Sequence, residues 1–153
     1  MTTAHTGPRM QAETLSEAVS ALRARGLRLS GARRVVLEAL YATDAPLSAE
    51  QIAEGRGALP VSDLASVYRN LETLERVGLV QHVHLGHGAG RYVRAGRERE
   101  YLVCERCGAN HAVVPEHLDG VRLAIAEATG YHARFSHFPI VGICGECAAL
   151  EPA

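Results

Sequence analysis

Residues 62–78 read SDLASVYRNLETLERVG and determine how the amino-terminal half of the chain is interpreted. Ser62 is a suitable helix N-cap, and Gly78 is a residue type that commonly ends a helix. Large side chains between them recur at helical intervals: Tyr68, Leu71 and Leu74. The stretch therefore predicts a helix that begins after Ser62 and ends at Gly78.

Three shorter helices are predicted before this one. Thr14 with Glu17, and Ser48 with Gln51, form the capping-box pattern, in which each side chain accepts from the other residue's backbone N–H. Ser30 is a suitable cap for a helix between the two boxes. Apolar residues follow each cap at helical spacing, so we expect the segment before residue 60 to be mainly helical.

A β-hairpin is predicted after the long helix. The segment 79–85 alternates weakly, 86–90 is rich in turn residues, and 91–93 returns as a second strand. Helix, helix, short helix, longer helix and hairpin is the order of a winged helix-turn-helix, in which the long helix lies in the major groove of DNA. A small helical bundle with a solvated polar face fits the same pattern, and both interpretations stay open at this point.

Polar side chains that reach bases or phosphates stand in the first half of the long helix: Asp63, Ser66, Tyr68, Arg69 and Asn70. The densest basic stretch lies nearer the start of the chain: Arg23, Arg25, Arg28, Arg33 and Arg34. Such a run is either a solvated helix face or a phosphate-binding surface. The formal net charge of −1 excludes a uniformly basic surface. Our DNA-contact candidates are Ser66, Tyr68, Arg69, Asn70 and Arg33.

The sequence pattern changes near Gly96. Short strands are predicted at 101–104, 112–114 and 138–143. Pro115 is suited to the first turn of a helix that ends at Gly130. The second half is therefore expected to be an α/β module distinct from the first.

All four cysteines fall in two C-x-x-C pairs, Cys104 with Cys107 and Cys144 with Cys147. Two such pairs suit a tetrahedral zinc site, and four thiolates leave no open position for catalysis, so the site is structural. The competing interpretation is a redox dithiol, which usually has one such pair before a helix.

No apolar run approaches the roughly 20 residues that span a bilayer. Residues 1–11 lack the apolar core of a signal peptide, so we expect a reducing, cytoplasmic location.

Histidines form the second cluster of candidate ligands. His82 and His84 project from the same face if residues 79–85 form a strand, as a chelating pair requires. Imidazole suits zinc, nickel, copper and iron. Scattered histidines such as His111 and His132 are more often surface or hydrogen-bonded residues.

Several segments resemble the ferric uptake regulator (Fur) family. They are RGLRLS at 25–30, SVYRNL at 66–71, GLV at 78–80, LVC at 102–104 and CG at 107–108, within a match from about Ser16 to Cys147. The resemblance implies an α+β fold, with an N-terminal winged helix-turn-helix domain at 12–95 and a C-terminal α/β dimerisation domain at 96–153. Residues 1–11 are expected to be a disordered tail. The resemblance further implies a homodimer that binds double-stranded palindromic operator DNA when loaded with metal, as a repressor of metal homeostasis genes.

The sensing site departs from the family pattern. Residues 97–101, before the first C-x-x-C, hold no histidine, and a histidine often supplied by the DNA-binding domain falls near Ala45. The segments 82–88 and 136–138 are instead similar to the nickel-responsive branch, which implies a regulatory site. Its ligands would be His82, His84 and His137, for zinc, nickel, iron or manganese. Candidates to complete that site are His87, Glu98, Glu100, His111 and Asp119.

Three alternatives stay open. A regulator with an altered or absent sensing site would bind operators constitutively, and a peroxide-responsive regulator would use iron-bound histidine. A zinc hydrolase would need a catalytic spacing such as H-E-x-x-H, which the sequence lacks. We therefore expect no enzyme activity and no membrane partner.

Overall fold

The computed structural model describes residues 10–55, 63–86 and 88–150. The chain divides into two compact units: it enters the second unit at His84, returns to the first at Ala89 and leaves the first after Glu98. The predicted domain boundary after residue 95 lies close to the last of these crossings, and the assignment of the domains stays a prediction.

The described residues of the first unit form four α-helices. They are α1 (Leu15–Ala24), α2 (Gly31–Tyr41), α3 (Ala49–Glu54) and α4 (Leu64–Arg76). The predicted caps are confirmed: Thr14 forms a capping box with Glu17, Ser48 forms one with Gln51, and the Ser30 side chain accepts from the Arg33 N–H.

The start of α4 differs from the prediction by one residue. Asp63 is its N-cap, and the Asp63 carboxylate accepts a hydrogen bond from the Ser66 backbone N–H at 2.9 Å. The prediction that Ser62 is the cap was wrong. Ser and Asp are both good N-caps, so the sequence alone does not show which of two adjacent residues caps the helix. Ser62 itself lies outside the described residues. The predicted end is confirmed, since α4 stops at Arg76 and Gly78 has a φ of 81°.

A three-stranded antiparallel sheet completes the first unit. Its strands are β1 (Leu47–Ser48), β2 (Val80–Val83) and β3 (Arg91–Arg94), in the order β1-β3-β2. The predicted hairpin is confirmed, with Val80 paired to Arg94 and Val83 to Arg91. Four helices followed by this hairpin form the winged helix-turn-helix arrangement.

The core of the first unit lies beneath α4. Leu71 and Leu74 are fully buried, together with Leu37 of α2 and Leu22 of α1. Burying side chains of this size stabilises a fold by about 2 kcal/mol each. Because α4 is fixed by this inner face, its outer face has a defined orientation.

The start of the described chain joins the same unit. The Met10 N–H donates to the Gly78 carbonyl at 3.0 Å. The remainder of the predicted tail, residues 1–9, lies outside the described residues.

Within the part of the second unit that the structure describes, three strands and two α-helices form. They are β4 (Glu100–Cys104), β5 (Asn110–Val113), α5 (Asp119–Thr129), β6 (Ile140–Gly142) and α6 (Gly145–Ala149). The sheet order is β5-β4-β6, with β4 antiparallel to β5 and parallel to β6. Pro115 starts a 3-10 turn rather than the α-helix itself, and Gly130 ends α5 in the left-handed conformation. The sequence did not predict α6, which has only five residues.

Apolar side chains of the second unit are unusually exposed. All residues of α5 are among those described and none of them is buried, while Leu123 on this helix is 60% exposed. Exposed apolar residues elsewhere in the unit are Leu102, Tyr131, Phe138, Val141, Ile143 and Leu150. An apolar surface of this kind on a globular domain commonly marks a protein–protein interface. Among the described residues, none of the helices has the length and apolar character needed to cross a membrane.

Candidate functional site

The four cysteines converge in the second unit. Their Sγ atoms all lie within 4.8 Å of one another, and the Sγ atoms of Cys107 and Cys144 are 3.8 Å apart. All four belong to the described residues, and each is a free cysteine. Cys107 and Cys144 stand 37 positions apart along the chain, so the fold joins the two C-x-x-C pairs into one cluster.

Two tight turns position the thiols. After β4, the Gly108 N–H donates to the Cys104 carbonyl at 2.9 Å, and the Cys104 N–H donates to the Ala109 carbonyl at 2.8 Å. Gly108 has a φ of 74°, which residues with a side chain rarely adopt. Cys144 is the N-cap of α6, which brings Cys147 back toward it. Each pair is therefore held by its own backbone.

The thiols differ in acidity. Hydrogen bonding from the backbone of Cys107, and then of Cys144, lowers the pKa of Cys104 to about 6. Hydrogen bonding with the Cys144 thiol, followed by burial, raises the pKa of Cys147 to about 12. Proximity of this kind makes complete ionisation of the cluster unfavourable without a cation to offset the charge.

The cluster fits a structural zinc ion. A Zn–S distance of about 2.3 Å gives a tetrahedron with S···S edges of about 3.8 Å. The separation of the Cys107 and Cys144 Sγ atoms is also 3.8 Å. Zinc bound here would cross-link the end of β4 to the start of α6 and would have no open coordination position.

Two of the candidate regulatory histidines contact each other in the second unit. The His84 N–H donates to the His137 carbonyl at 2.9 Å. Their ring centroids are 5.1 Å apart, and the Phe138 ring stacks on His84 with centroids 5.3 Å apart. The backbone bond and the stacked ring hold the imidazoles near each other, as a chelating pair requires.

His82 lies in β2 of the first unit. Its Nδ1 atom is 2.5 Å from Glu75 Oε1, and its side chain is only 13% exposed. Its ring centroid is 6.0 Å from that of Tyr92. Sequence reasoning missed Glu75, because the contact depends on how the end of α4 lies against the hairpin.

Two of the carboxylates considered for completing the regulatory site bind an arginine instead. Arg122 on α5 forms ion pairs with Glu100 and Asp119, the latter at 2.8 Å. Glu100 is 4% exposed, so this pairing compensates a buried charge. The structure therefore does not favour Glu100 or Asp119 as metal ligands.

The other three residues considered for completing the regulatory metal site are Glu98, His111 and His87. Glu98 accepts a hydrogen bond from the Gly96 N–H at 2.9 Å. His111 lies exposed in β5, opposite Leu102 in the sheet. His87 lies outside the described residues.

Side chains on the outer face of α4 form the candidate nucleic-acid interface. Tyr68 is 40% exposed, and its hydroxyl donates to Glu50 Oε1 at 3.2 Å. Burial, followed by the charge of Glu50, raises the pKa of Tyr68. Arg69 is exposed and Ser66 is half-buried. These three residues have the accessibility that a DNA contact requires.

Asn70 and Arg33 are engaged within the first unit. Asn70 is 8% exposed, and its Nδ2 donates to the Ser66 carbonyl at 2.9 Å. Its Oδ1 accepts from Arg33 Nε at 3.1 Å. These bonds give the pair a role in positioning α4, and direct contact of Asn70 and Arg33 with DNA stays a prediction.

The sequence matches the family model described as "Ferric uptake regulator family" over residues 24–138. The chain belongs to the ferric uptake regulator family. It is 31% identical to the "Peroxide operon regulator" of Bacillus subtilis over 146 residues, which cover 93% of this chain and 99% of that protein. A "Peroxide-responsive repressor PerR" from Staphylococcus saprophyticus is 24% identical over 87% of this chain and 90% of its own length.

Solved structures of regulators share the fold. The ferric uptake regulator of Helicobacter pylori, described with three functional metal binding sites, has a TM-score of 0.64 at 19% identity. The match covers 93% of this chain and 97% of that one. A zinc uptake regulator complexed with zinc and DNA has a TM-score of 0.54 at 25% identity, covering 89% and 93%. The curated relatives are regulators and not enzymes, which removes the zinc hydrolase interpretation.

Proposed function

We propose that this member of the ferric uptake regulator family is a metal-dependent transcriptional repressor that binds palindromic operators. The observation that carries the proposal is the exposure of Tyr68 and Arg69 on α4, whose opposite face is fixed in the core. A helix held in this way can enter the major groove of DNA. The compartment we propose is the cytoplasm, where the thiols stay reduced.

The proposed active form is a homodimer. The exposed apolar surface of the second unit, including Leu123 and Val121 on α5, supports association with a second copy of the chain. Two copies would present two DNA-reading helices to half-sites about one helical turn apart. Sedimentation of the protein with and without Leu123→Asp tests this, and a dimer that persists unchanged contradicts a role for this face.

Structural zinc at Cys104, Cys107, Cys144 and Cys147 is proposed to stabilise the second unit. A regulatory divalent metal is proposed to bind His84 and His137 together with His82. The resemblance to the nickel-responsive branch makes nickel one candidate, beside zinc, iron and manganese, since imidazole binds all of these metals. Metal and operator binding are then thermodynamically coupled.

Operator binding with and without a chelator tests metal dependence. We expect chelation that spares the structural zinc to weaken binding, and equal affinity in both conditions contradicts metal control. Metal content of the wild type is compared with that of the His82→Ala/His84→Ala/His137→Ala variant. Identical stoichiometry favours a constitutive regulator.

Peroxide sensing is a second candidate function. It is supported by the 31% identity to the Peroxide operon regulator of Bacillus subtilis. Iron-loaded protein treated with hydrogen peroxide would then release its operator and gain an oxygen atom on a ligating histidine. Retention of operator binding and unchanged mass would contradict this candidate.

A further inference from the structure

A short hydrogen bond joins the DNA-reading helix to a proposed metal ligand. Glu75 stands in the last turn of α4, and His82 stands in β2. Glu75 Oε1 is 2.5 Å from His82 Nδ1, and the side chains of Glu75 and His82 are 26% and 13% exposed, respectively. Partial withdrawal from water strengthens such a contact, because water competes less for either partner.

Tyr92 is the cross-strand neighbour of His82. It pairs with His82 across the β2–β3 hairpin, and the two ring planes meet at 40°. Burial, followed by the charge of Glu75, raises the pKa of Tyr92 to about 12. The His82 ring therefore has a carboxylate at Nδ1 and a half-buried aromatic ring as its cross-strand neighbour.

Because Nδ1 is directed at Glu75, a metal would be bound through Nε2, the other ring nitrogen. Metal-ligating histidines almost always donate their other N–H to a carboxylate, a carbonyl or water, which fixes the ring and strengthens the ligand. Glu75 and His82 have this relationship.

We propose that Glu75 is a positioning residue that orients His82 for the regulatory metal and links metal occupancy to α4. This inference rests on the proposed function, because it takes His82 as a ligand. Glu75 lies on the helix that carries Tyr68 and Arg69, so a change in its contact with His82 acts directly on the DNA-reading element. Loss of Glu75 should reduce both the affinity for metal and the effect of metal on operator binding.

The test compares Glu75→Ala and Glu75→Gln with the matched control Glu72→Ala. Glu72 is exposed on the same helix, one turn earlier, and its replacement removes the same charge. Nickel(II) is the probe, titrated into zinc-loaded full-length protein against a chromophoric chelator. Operator affinity is measured with and without nickel, and thermal unfolding reports folding.

For Glu75→Ala we expect nickel affinity to fall about 10–100-fold, with little change for Glu72→Ala. Glu75→Gln keeps an oxygen acceptor and should retain part of the affinity. In a His82→Ala background, Glu75→Ala should have no further effect. A merely structural contact would change thermal unfolding but not the ratio of operator affinities with and without nickel.

Two negative outcomes are distinguishable. Equal nickel affinity in wild type and Glu75→Ala overturns this inference and leaves the proposed function intact. Failure of the wild type to bind nickel, and equally zinc, iron(II) or manganese(II) in the same titration, beyond its structural zinc overturns the proposed regulatory site and this inference together.

Discussion

Arg33 Nε donates a hydrogen bond to Asn70 Oδ1 at 3.1 Å and thereby joins α2 to the middle of α4. Arg33 Nη1 also donates to the Arg28 carbonyl at 2.5 Å. The Nδ2 atom of Asn70 donates in turn to the Ser66 carbonyl. This connected set of hydrogen bonds fixes α4 on α2, the helix that carries Arg33.

Replacing Asn70 with Ala should destabilise the first unit. The change removes the acceptor of Arg33 Nε and a donor to Ser66, at a cost of about 1–3 kcal/mol in the free energy of unfolding. Denaturant unfolding measures the effect. An unchanged midpoint for Asn70→Ala would contradict the positioning role.

Arg69→Ala should weaken operator binding without altering stability. Arg69 is exposed, so the free energy of unfolding should change by less than about 0.5 kcal/mol. If its guanidinium binds a phosphate, the slope of log affinity against log salt concentration should decrease in magnitude by about one. Arg76→Ala, at the far end of the same helix, is the matched control. An equal loss of affinity in both variants would argue for a general charge effect.

Removing the structural metal should unfold the second unit before the first. All four cysteines lie in the second unit, so chelation under reducing conditions should selectively increase its hydrogen exchange. Cys104→Ser should have the same effect without chelator. An equal increase in hydrogen exchange in both units would contradict the prediction that the metal stabilises the second unit selectively.

Arg122→Met should destabilise the second unit strongly. It leaves the buried carboxylate of Glu100 without its ion-pair partner, a change that commonly costs about 3 kcal/mol. Glu127→Gln, which alters an exposed charge on the same helix, is the control. Denaturant unfolding compares the variants. The double variant Arg122→Met/Glu100→Gln should recover part of the loss, and no recovery would contradict a specific pair.

Alkaline pH should remove the contribution of the Tyr41 hydroxyl to the free energy of unfolding. Its hydroxyl donates to the Ala12 carbonyl at 2.9 Å, and burial is the largest cause that raises its pKa above 10. The neutral form is therefore favoured in the folded state, so the stabilisation is complete below about pH 10 and is lost as pH rises through the folded-state pKa. Denaturant unfolding of wild type and Tyr41→Phe from pH 9 to pH 11 tests the difference. Parallel curves for the two proteins would contradict it.

Local signals explain which parts of the fold were predictable. The caps at Thr14, Ser30 and Ser48 act within four residues, so the sequence alone identified them. The two-residue strand β1 has no detectable alternation of its own and depends on pairing with β3. Similarly, α6 is too short for a periodic pattern and follows from Cys144 acting as its cap.

In the candidate site, too, local features could be predicted from the sequence and tertiary contacts could not. Cysteine spacing predicted the thiol cluster, because a C-x-x-C pair is a local geometry. Asn70 was predicted to contact DNA because its side chain is of a type that reaches bases or phosphates. Its hydrogen bond from Arg33 could not be predicted, because Arg33 is 37 positions away along the chain. The binding of Glu100 and Asp119 by Arg122 likewise required the tertiary placement of α5 near β4.

The chain passes between its two units more than once, at Val83, Gly88 and Glu98. A single cut after residue 98 would therefore leave the segment His84–Gly88 separated from His137, to which the His84 N–H is bonded. A chimera that exchanges the second unit therefore has to exchange this segment together with the residues from Arg99 onward.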